Sequence, residues 1–304
     1  MLVRGPSPLL HAVCRASEPL PVVILLVGDY VAWLPGLAQP WWRKCAIGLW
    51  ARWNRHQQIA SCRKHVTLVN SRVLFQQLQP LVPRLFEVRT TTLQRGDFHL
   101  REDTCHQRPV RLLYAGRLER AKGLLEMAET IRLLTEMGED VVLDLVGWAA
   151  PGDPIVDEVM EHARKQGVAG KVQYQGFKAL GEELFSFYRA ADIYVLASTN
   201  SEGFPRAIWE AMASCTPVVS TRVGSISDFV VDGNTALLAP PRDPAAMAGA
   251  IQRLIHDGEL RRHLIQSGYA LAETVTLEST TSTIVQHAQH LCQERCGAVP
   301  FCVS

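Results

Sequence analysis

Two acidic side chains stand eight residues apart around a loop-to-helix transition in Thr199–Ser220, TNSEGFPRAIWEAMASCTPVVS. Glu202 falls in a turn with Gly203 and Pro205, and Glu210 in an apolar helix-forming run that includes Ile208, Trp209 and Met212. A carboxylate accepts hydrogen bonds from vicinal hydroxyls, so the pair suits a polyol or a ribose. Taken singly, Glu210 reads as a helix-surface acid and Glu202 as an acid favoured by the helix dipole. A basic loop upstream changes that weighing. Gly116-Arg117-Leu118-Glu119-Arg120-Ala121-Lys122-Gly123 leaves one strand and opens a helix. Arg117 offers a planar fork of donors and Lys122 a point charge, a combination fit for a diphosphate. The helix N-terminus adds partial positive charge. Gly203 and Phe204 can present N–H groups at the mouth of the helix that carries Glu210. No GK[ST] follows the glycine spacing and no GxGxxG occurs, which argues against an ATPase and a nicotinamide dehydrogenase.

The elements that must position these residues follow from the apolar runs. From Val110 on, strands are expected at 110–116, 141–147, 172–177, 193–198 and 217–220, with helical patterns at 122–137, 154–166, 181–190 and 206–214. Such alternation is the mark of a doubly wound parallel sheet, which binds ligands at the carboxyl ends of its strands. The turns after 116, 147, 176 and 198 therefore converge on one crevice. Further helices are expected at about 243–257, 259–273 and 277–295, the last long enough to reach back to the first domain.

Upstream the signals are weaker. Residues 1–18 read as irregular. Val22–Val27 is a buried strand and too short to span a membrane. HVTLVNS at 65–71 reads as a strand running into a helix capped by Asn70 or Ser71, and 86–88 as another short strand. Residues 39–63 interleave Trp41, Trp42, Trp50 and Trp53 with Arg43, Lys44, Arg52 and Arg55. The plain reading is a core helix with a solvated basic face, and the sharper one a helix for a membrane surface or an acceptor. The polar stretch 94–109 lacks periodicity and is taken as the domain boundary.

The 304 residues suffice for two cores, and 47% hydrophobic with 20% charged residues is ordinary for a soluble globular chain. A net charge of +1 gives no global field for nucleic acid. Eight cysteines are scattered without a CxxC pair. They read as reduced, mostly buried thiols, with a Cys292–Cys296–Cys302 metal or redox cluster as the weaker reading. The start of the chain lacks a continuous apolar core for a secretory signal, so the cytoplasm is the expected compartment.

GRLxxxKG, then SEGFPxxxxEAMAxxxPVVST, then DGNTALLAPPRDP at 232–244 together resemble the C-terminal domain of a retaining glycosyltransferase of family 4 with the GT-B fold. The likeness runs from about Val110 to Arg262, and Glu202 and Glu210 match that family's E-x7-E motif. The resemblance implies two Rossmann-like domains with parallel sheets, the first incomplete. It divides the chain into an acceptor-side domain at 1–108, a nucleotide-sugar domain at 109–275 and a returning helix at 276–304. It implies transfer of a sugar from a nucleotide sugar, such as a UDP- or GDP-hexose, to a carbohydrate or lipid-linked acceptor, with retention and without a metal or cofactor.

Arg117 and Lys122 would then hold the diphosphate and stabilise the leaving group, and Glu202 would contact the donor sugar. Glu210 would take the ribose hydroxyls, and the backbone near Gly176 and Phe177 would lie beside the base. Gly116, Gly147, Gly203, Phe204 and Thr221 would complete the donor site, with Arg222 beside Thr221 on the crevice. Two departures stand out. The glycine-rich loop usual before the first strand is missing, as if the acceptor domain were shortened. Cys215 also replaces a common glycine, and Gly224-Ser225 a glycine pair. Two other functions remain in view, a nucleotide-sugar-binding protein with little or no transfer and a sugar-nucleotide epimerase. The Trp/Arg helix leaves a peripheral place on the inner face of the membrane open.

Overall fold

The computed structural model describes residues 1–296 except 19, 32, 33, 35–38, 90 and 201–203. The chain divides into two compact units, Met1–Thr90 with the residues from Glu278 on, and Thr91–Leu277.

The first unit opens with a strand and helix where an irregular run is expected, β1 (Leu2–Gly5) and α1 (Leu10–Ala16). β1 is four residues long and half exposed, so its own pattern is faint. Parallel pairing with β2 (Val23–Leu26), Leu2 opposite Val23, makes it a strand. α2 (Trp41–Lys64), β3 (Val66–Val69), α3 (Arg72–Leu78) and β4 (Leu85–Glu87) follow, and the sheet order is β1-β2-β3-β4, all parallel. Ser71 caps α3, accepting from the Leu74 N–H at 3.5 Å. Burial pushes the Cys62 thiol, on the inner side of α2, up to about 11, so it is protonated and unreactive near neutrality. Cys14, Cys105 and Cys215 are also buried and free, whereas Cys45 is exposed. Cys302 and the side chains of Cys292 and Cys296 lie outside the described residues.

α2 is a helix with one buried and one solvated face, and its tryptophans lie outside the buried one. Its buried residues are Ala51, Asn54, Gln58, Ser61 and Cys62, while Trp41, Trp42, Trp50 and Trp53 are all exposed. The inner face is polar, and two of its side chains are satisfied within the helix. Asn54 Nδ2 donates to the Trp50 carbonyl at 2.8 Å and Ser61 Oγ to the Gln57 carbonyl at 3.1 Å.

The second unit holds a six-stranded parallel sheet. Its strands are β5 (Val110–Ala115), β6 (Val141–Val146), β7 (Val172–Gly176), β8 (Ile193–Leu196), β9 (Val218–Thr221) and β10 (Leu237–Ala239). Their spatial order is β10-β9-β8-β5-β6-β7. The helices are α4 (Leu124–Glu136), α5 (Ile155–Lys165), α6 (Glu182–Ala190), α7 (Arg206–Ala213), the short α8 (Ile226–Phe229), α9 (Pro244–His256) and α10 (Gly258–Glu273). β6 and β8 are buried along their whole length, as strands covered on both faces must be. The one acid in β6, Asp144, is tolerated because Arg111 Nη2 and Gln175 Nε2 donate to it at 2.8 and 2.6 Å. Asp243 and Asp257 cap α9 and α10, each accepting a backbone N–H at 2.9 Å, and Pro244 opens α9.

The aperiodic stretch after Thr90 is stitched to this second unit. Leu93 is fully buried in its core. The Arg101 guanidinium donates to the carbonyls of Cys215, Arg189 and Ala191 at 3.1, 2.9 and 2.6 Å. The last helix, α11 (Leu277–Cys296), lays Ile284 and Ala288 on Val23, Val66, Leu68 and Val88 of the first unit. Strand order in the second unit reverses at β5: β6 and β7 lie to one side, β8 to β10 to the other. Loops leaving β5 and β8 part there and leave a crevice.

Candidate functional site

A cavity of about 500 Å³ opens in that crevice, with Ala115, Val146 and Leu196 from the ends of β5, β6 and β8 in its lining. The loop after β5 is laced to its neighbours by backbone bonds. Gly116 N–H donates to the Val146 carbonyl at 3.0 Å, Leu118 N–H to Trp148 at 2.8 Å, and Gly147 N–H to Gly176 at 2.9 Å. The Tyr114 hydroxyl donates to the Arg117 carbonyl at 2.5 Å. Gly147 has φ +144°, and a Cβ there would sit 1.8 Å from the Gly116 carbonyl oxygen, so only glycine fits. Gly123 has φ +71°, and its Cβ would sit 1.9 Å from the Ala197 carbonyl oxygen. Beside it the Thr199 N–H donates to the Ala121 carbonyl at 2.9 Å, which ties the loop after β8 to the loop after β5.

Arg117 and Lys122 both line the cavity. Arg117 is exposed, with Glu119 3.4 Å away. Lys178 and Arg206 join them, so four cations face one carboxylate, Glu210, among the described lining residues. A concave surface with that balance concentrates anions.

Glu210 is not a surface acid. Set in α7, it is 8% exposed. Its Oε2 accepts from the Tyr188 hydroxyl at 2.7 Å and its Oε1 from Thr92 Oγ1 at 3.4 Å. Burial raises its pKa above the ordinary carboxyl value, and the Tyr188 bond and Arg206 charge oppose this. Burial, and then the Glu210 charge, hold the Tyr188 phenol well above its usual range, so Tyr188 stays a donor. The long bond from Thr92 leaves Oε1 with acceptor capacity toward the cavity.

The other expected residues are distributed as follows. Gly116, Gly147, Phe177 and Phe204 line the cavity. Phe177 is exposed, and Phe204 stacks on Trp209 at 4.2 Å between centroids and meets Phe229 edge-on at 5.3 Å. Gly176 lies outside the lining, and its φ of +73° turns the chain from β7 into Phe177. Thr221 also lies outside it, buried, with Oγ1 donating to the Ser198 carbonyl at 2.7 Å. Arg222 pairs with Asp232 at 2.5 Å. Glu202 and Gly203 lie outside the described residues. Cys215 takes a left-handed φ of +51° just past α7, the conformation for which a glycine is the unstrained choice. No group of three or more His, Cys, Asp or Glu that could hold a metal ion occurs among the described residues.

Sequence reasoning missed Tyr114, Trp148, Lys178, Arg206, Thr92 and Tyr188. Arg206 had a signal, since it precedes Glu210 by four residues on one helix face. Trp148 and Lys178 directly follow Gly147 and Phe177, at strand ends already in view. Thr92 and Tyr188 reach Glu210 from 118 and 22 residues away, and no local pattern announces them.

Two Rossmann-like units with parallel sheets, the second opening a cation-lined cavity at its switch point, define the GT-B class of glycosyltransferase architecture. The chain superposes on the Anabaena protein HepE, solved in complex with UDP, with a TM-score of 0.76 at 17% identity, covering 95% of this chain and 78% of that one. That likeness is one of fold. The C-terminal domain of the glycosyl transferase group 1 family protein LpcC from Francisella tularensis is 29% identical, with a TM-score of 0.54, covering 60% of this chain and 97% of that domain. Residues 100–271, more than half of the chain, match the family described as glycosyl transferases group 1, and the chain belongs to that family. It is 34% identical over 164 residues to the D-inositol 3-phosphate glycosyltransferase of Corynebacterium diphtheriae, a match that spans 53% of this chain and 37% of that enzyme.

Proposed function

We propose that the chain transfers a hexose from a UDP- or GDP-sugar to an acceptor, with retention of anomeric configuration and without a metal or cofactor, as in family 4. The observation that carries this reading is the cavity itself: Arg117, Lys122, Lys178 and Arg206 surround it at the carboxyl ends of β5, β6 and β8. Breaking the bond between the anomeric carbon and the diphosphate oxygen leaves the electron pair on the diphosphate. Arg117 and Lys122 stabilise that charge, in the place a divalent cation would otherwise take. Glu210, buried and oriented by Tyr188, accepts from the ribose hydroxyls through Oε1. Glu202 contacts the donor sugar. The acceptor is a carbohydrate or a lipid-linked glycan reached from the cytoplasm.

Calorimetry with UDP- and GDP-hexoses in EDTA tests the donor site. Binding is expected, weakened roughly ten- to hundredfold by Arg117→Ala or Lys122→Ala, as loss of charged hydrogen bonds worth about 1.5–3 kcal/mol implies. No binding by any nucleotide sugar would sink the reading. The second reading is a protein that binds the nucleotide sugar without transferring the sugar. Donor turnover decides between them, since binding with neither transfer nor hydrolysis supports the second.

A further inference from the structure

α2 presents an exposed outer face that none of the described core clusters of its own unit includes. Trp42, Ala46, Leu49 and Trp53 recur at spacings of four, three and four, so they form one stripe along the helix. All four are exposed, Leu49 at 68% and Trp53 at 61%. At 100° per residue the stripe lies opposite the buried Ala51, Asn54, Gln58 and Cys62. The inner face is already packed, so the stripe is not a misplaced core face.

Charge identifies the occupant. α2 carries Arg43, Lys44, Arg52, Arg55, Arg63 and Lys64 and no acid. Taking these six from the chain's 31 basic residues leaves 25 against 30 acids, so the rest of the protein is net negative while this helix is strongly positive. Arg55 is matched by Asp29 at 3.0 Å, and Arg43 lies over the Trp42 ring at 5.0 Å. Tryptophan prefers the depth of lipid headgroups, and Lys and Arg reach from there to phosphates. No helix among the described residues is long and apolar enough to cross a membrane, so any lipid contact of this helix is along its side.

We infer that the outer face of α2 lies in the surface of an anionic lipid bilayer, with Trp42, Leu49 and Trp53 entering the interface and Arg43 and Arg52, which flank the stripe on either side, on the headgroup phosphates. This does not rest on the transferase reading, because vesicle binding needs no donor; the two can fail separately. The test is co-sedimentation of the full chain with vesicles of phosphatidylcholine alone or mixed with phosphatidylglycerol, together with a tryptophan emission shift. Binding to the mixed vesicles at least tenfold above phosphatidylcholine alone is expected, falling as salt rises. The triple variant Trp42→Ser, Leu49→Ser, Trp53→Ser should lose binding and the emission shift. The double variant Arg43→Glu, Arg52→Glu should lose the preference for the anionic lipid. Thermal melting checks that both variants fold, and single Trp53→Ser, expected to weaken binding severalfold, serves if the triple does not. Absent binding, equal binding to both vesicles, or undiminished binding by folded variants overturns the inference. So does a concentration-dependent dimer, without vesicle binding, that the apolar variant dissociates.

Discussion

Helices α7 and α2 both set tryptophan among helix formers, and they turn it opposite ways. In α7, Trp209 is 2% exposed and stacks with Phe204, while the charged Glu210 beside it is drawn inward to Tyr188. In α2 the tryptophans face out and the buried positions are Asn54, Gln58 and Ser61. Periodicity reports that a helix has two faces. Which face goes inward depends on what it meets. α7 packs against α10 in the larger core, where Ile208 and Met212 are fully covered. α2 meets α1, a helix of seven residues, across small side chains.

The largest contrast is in stability. Trp209→Ala should cost about 3–5 kcal/mol, as for a large buried aromatic. Trp53→Ala should stay within about 0.5 kcal/mol, as for a surface change. Denaturant midpoints measure both, and similar losses in the two would break the comparison.

Glu210→Gln sharpens it, because it separates function from stability. The raised pKa means the folded state keeps its proton above pH 4.5, where the unfolded chain has lost it. Stability contributed by this site is therefore present at low pH and falls as pH rises from 4.5 through the folded value. Glutamine removes that decline, so melting temperature followed from pH 4.5 to 7 should slope less steeply downward, or more steeply upward, in the variant. Donor affinity in the variant should fall roughly tenfold, and in the parent it should weaken as pH drops and the carboxylate protonates. An unchanged slope with unchanged affinity would show that the carboxylate is a passive helix acid.

The smallest effect belongs to α2. Gly48 lies mid-helix, and a Cβ there meets nothing within 4 Å, so Gly48→Ala should stabilise by about 0.5–1 kcal/mol. A loss instead would mean that the helix surface is covered more closely than its exposure implies.

Much of the second unit was readable in the residues. Long apolar runs such as VVLDLV gave β6, and the expected helix at 206–214 became α7 at Arg206–Ala213. Arg117 and Lys122, from the loop after β5, and Glu210, from α7, were brought to one cavity at the switch point. What stayed hidden was hidden for identifiable reasons. β1 exists through its partner strand, and its four residues hold too little pattern to declare it. β10, at three residues, is shorter still. The environment of Glu210 comes from Thr92 and Tyr188, on separate segments, so spacing could show the acid but not its burial. Which face of α2 turns inward was illegible because a tryptophan stripe and a polar stripe give the same period whichever one faces the sheet.

Gly123 and Thr199 carry one more consequence. The Ala197 carbonyl occupies the space a side chain at 123 would need, and Thr199 is bonded to Ala121. The residue before Gly123 is Lys122, and Glu202 follows Thr199 by three. The two loops are therefore spliced, and a ligand that shifts the lysine drags the threonine with it. A change in the loop after β5 is therefore passed to the loop after β8 through that bond and that contact.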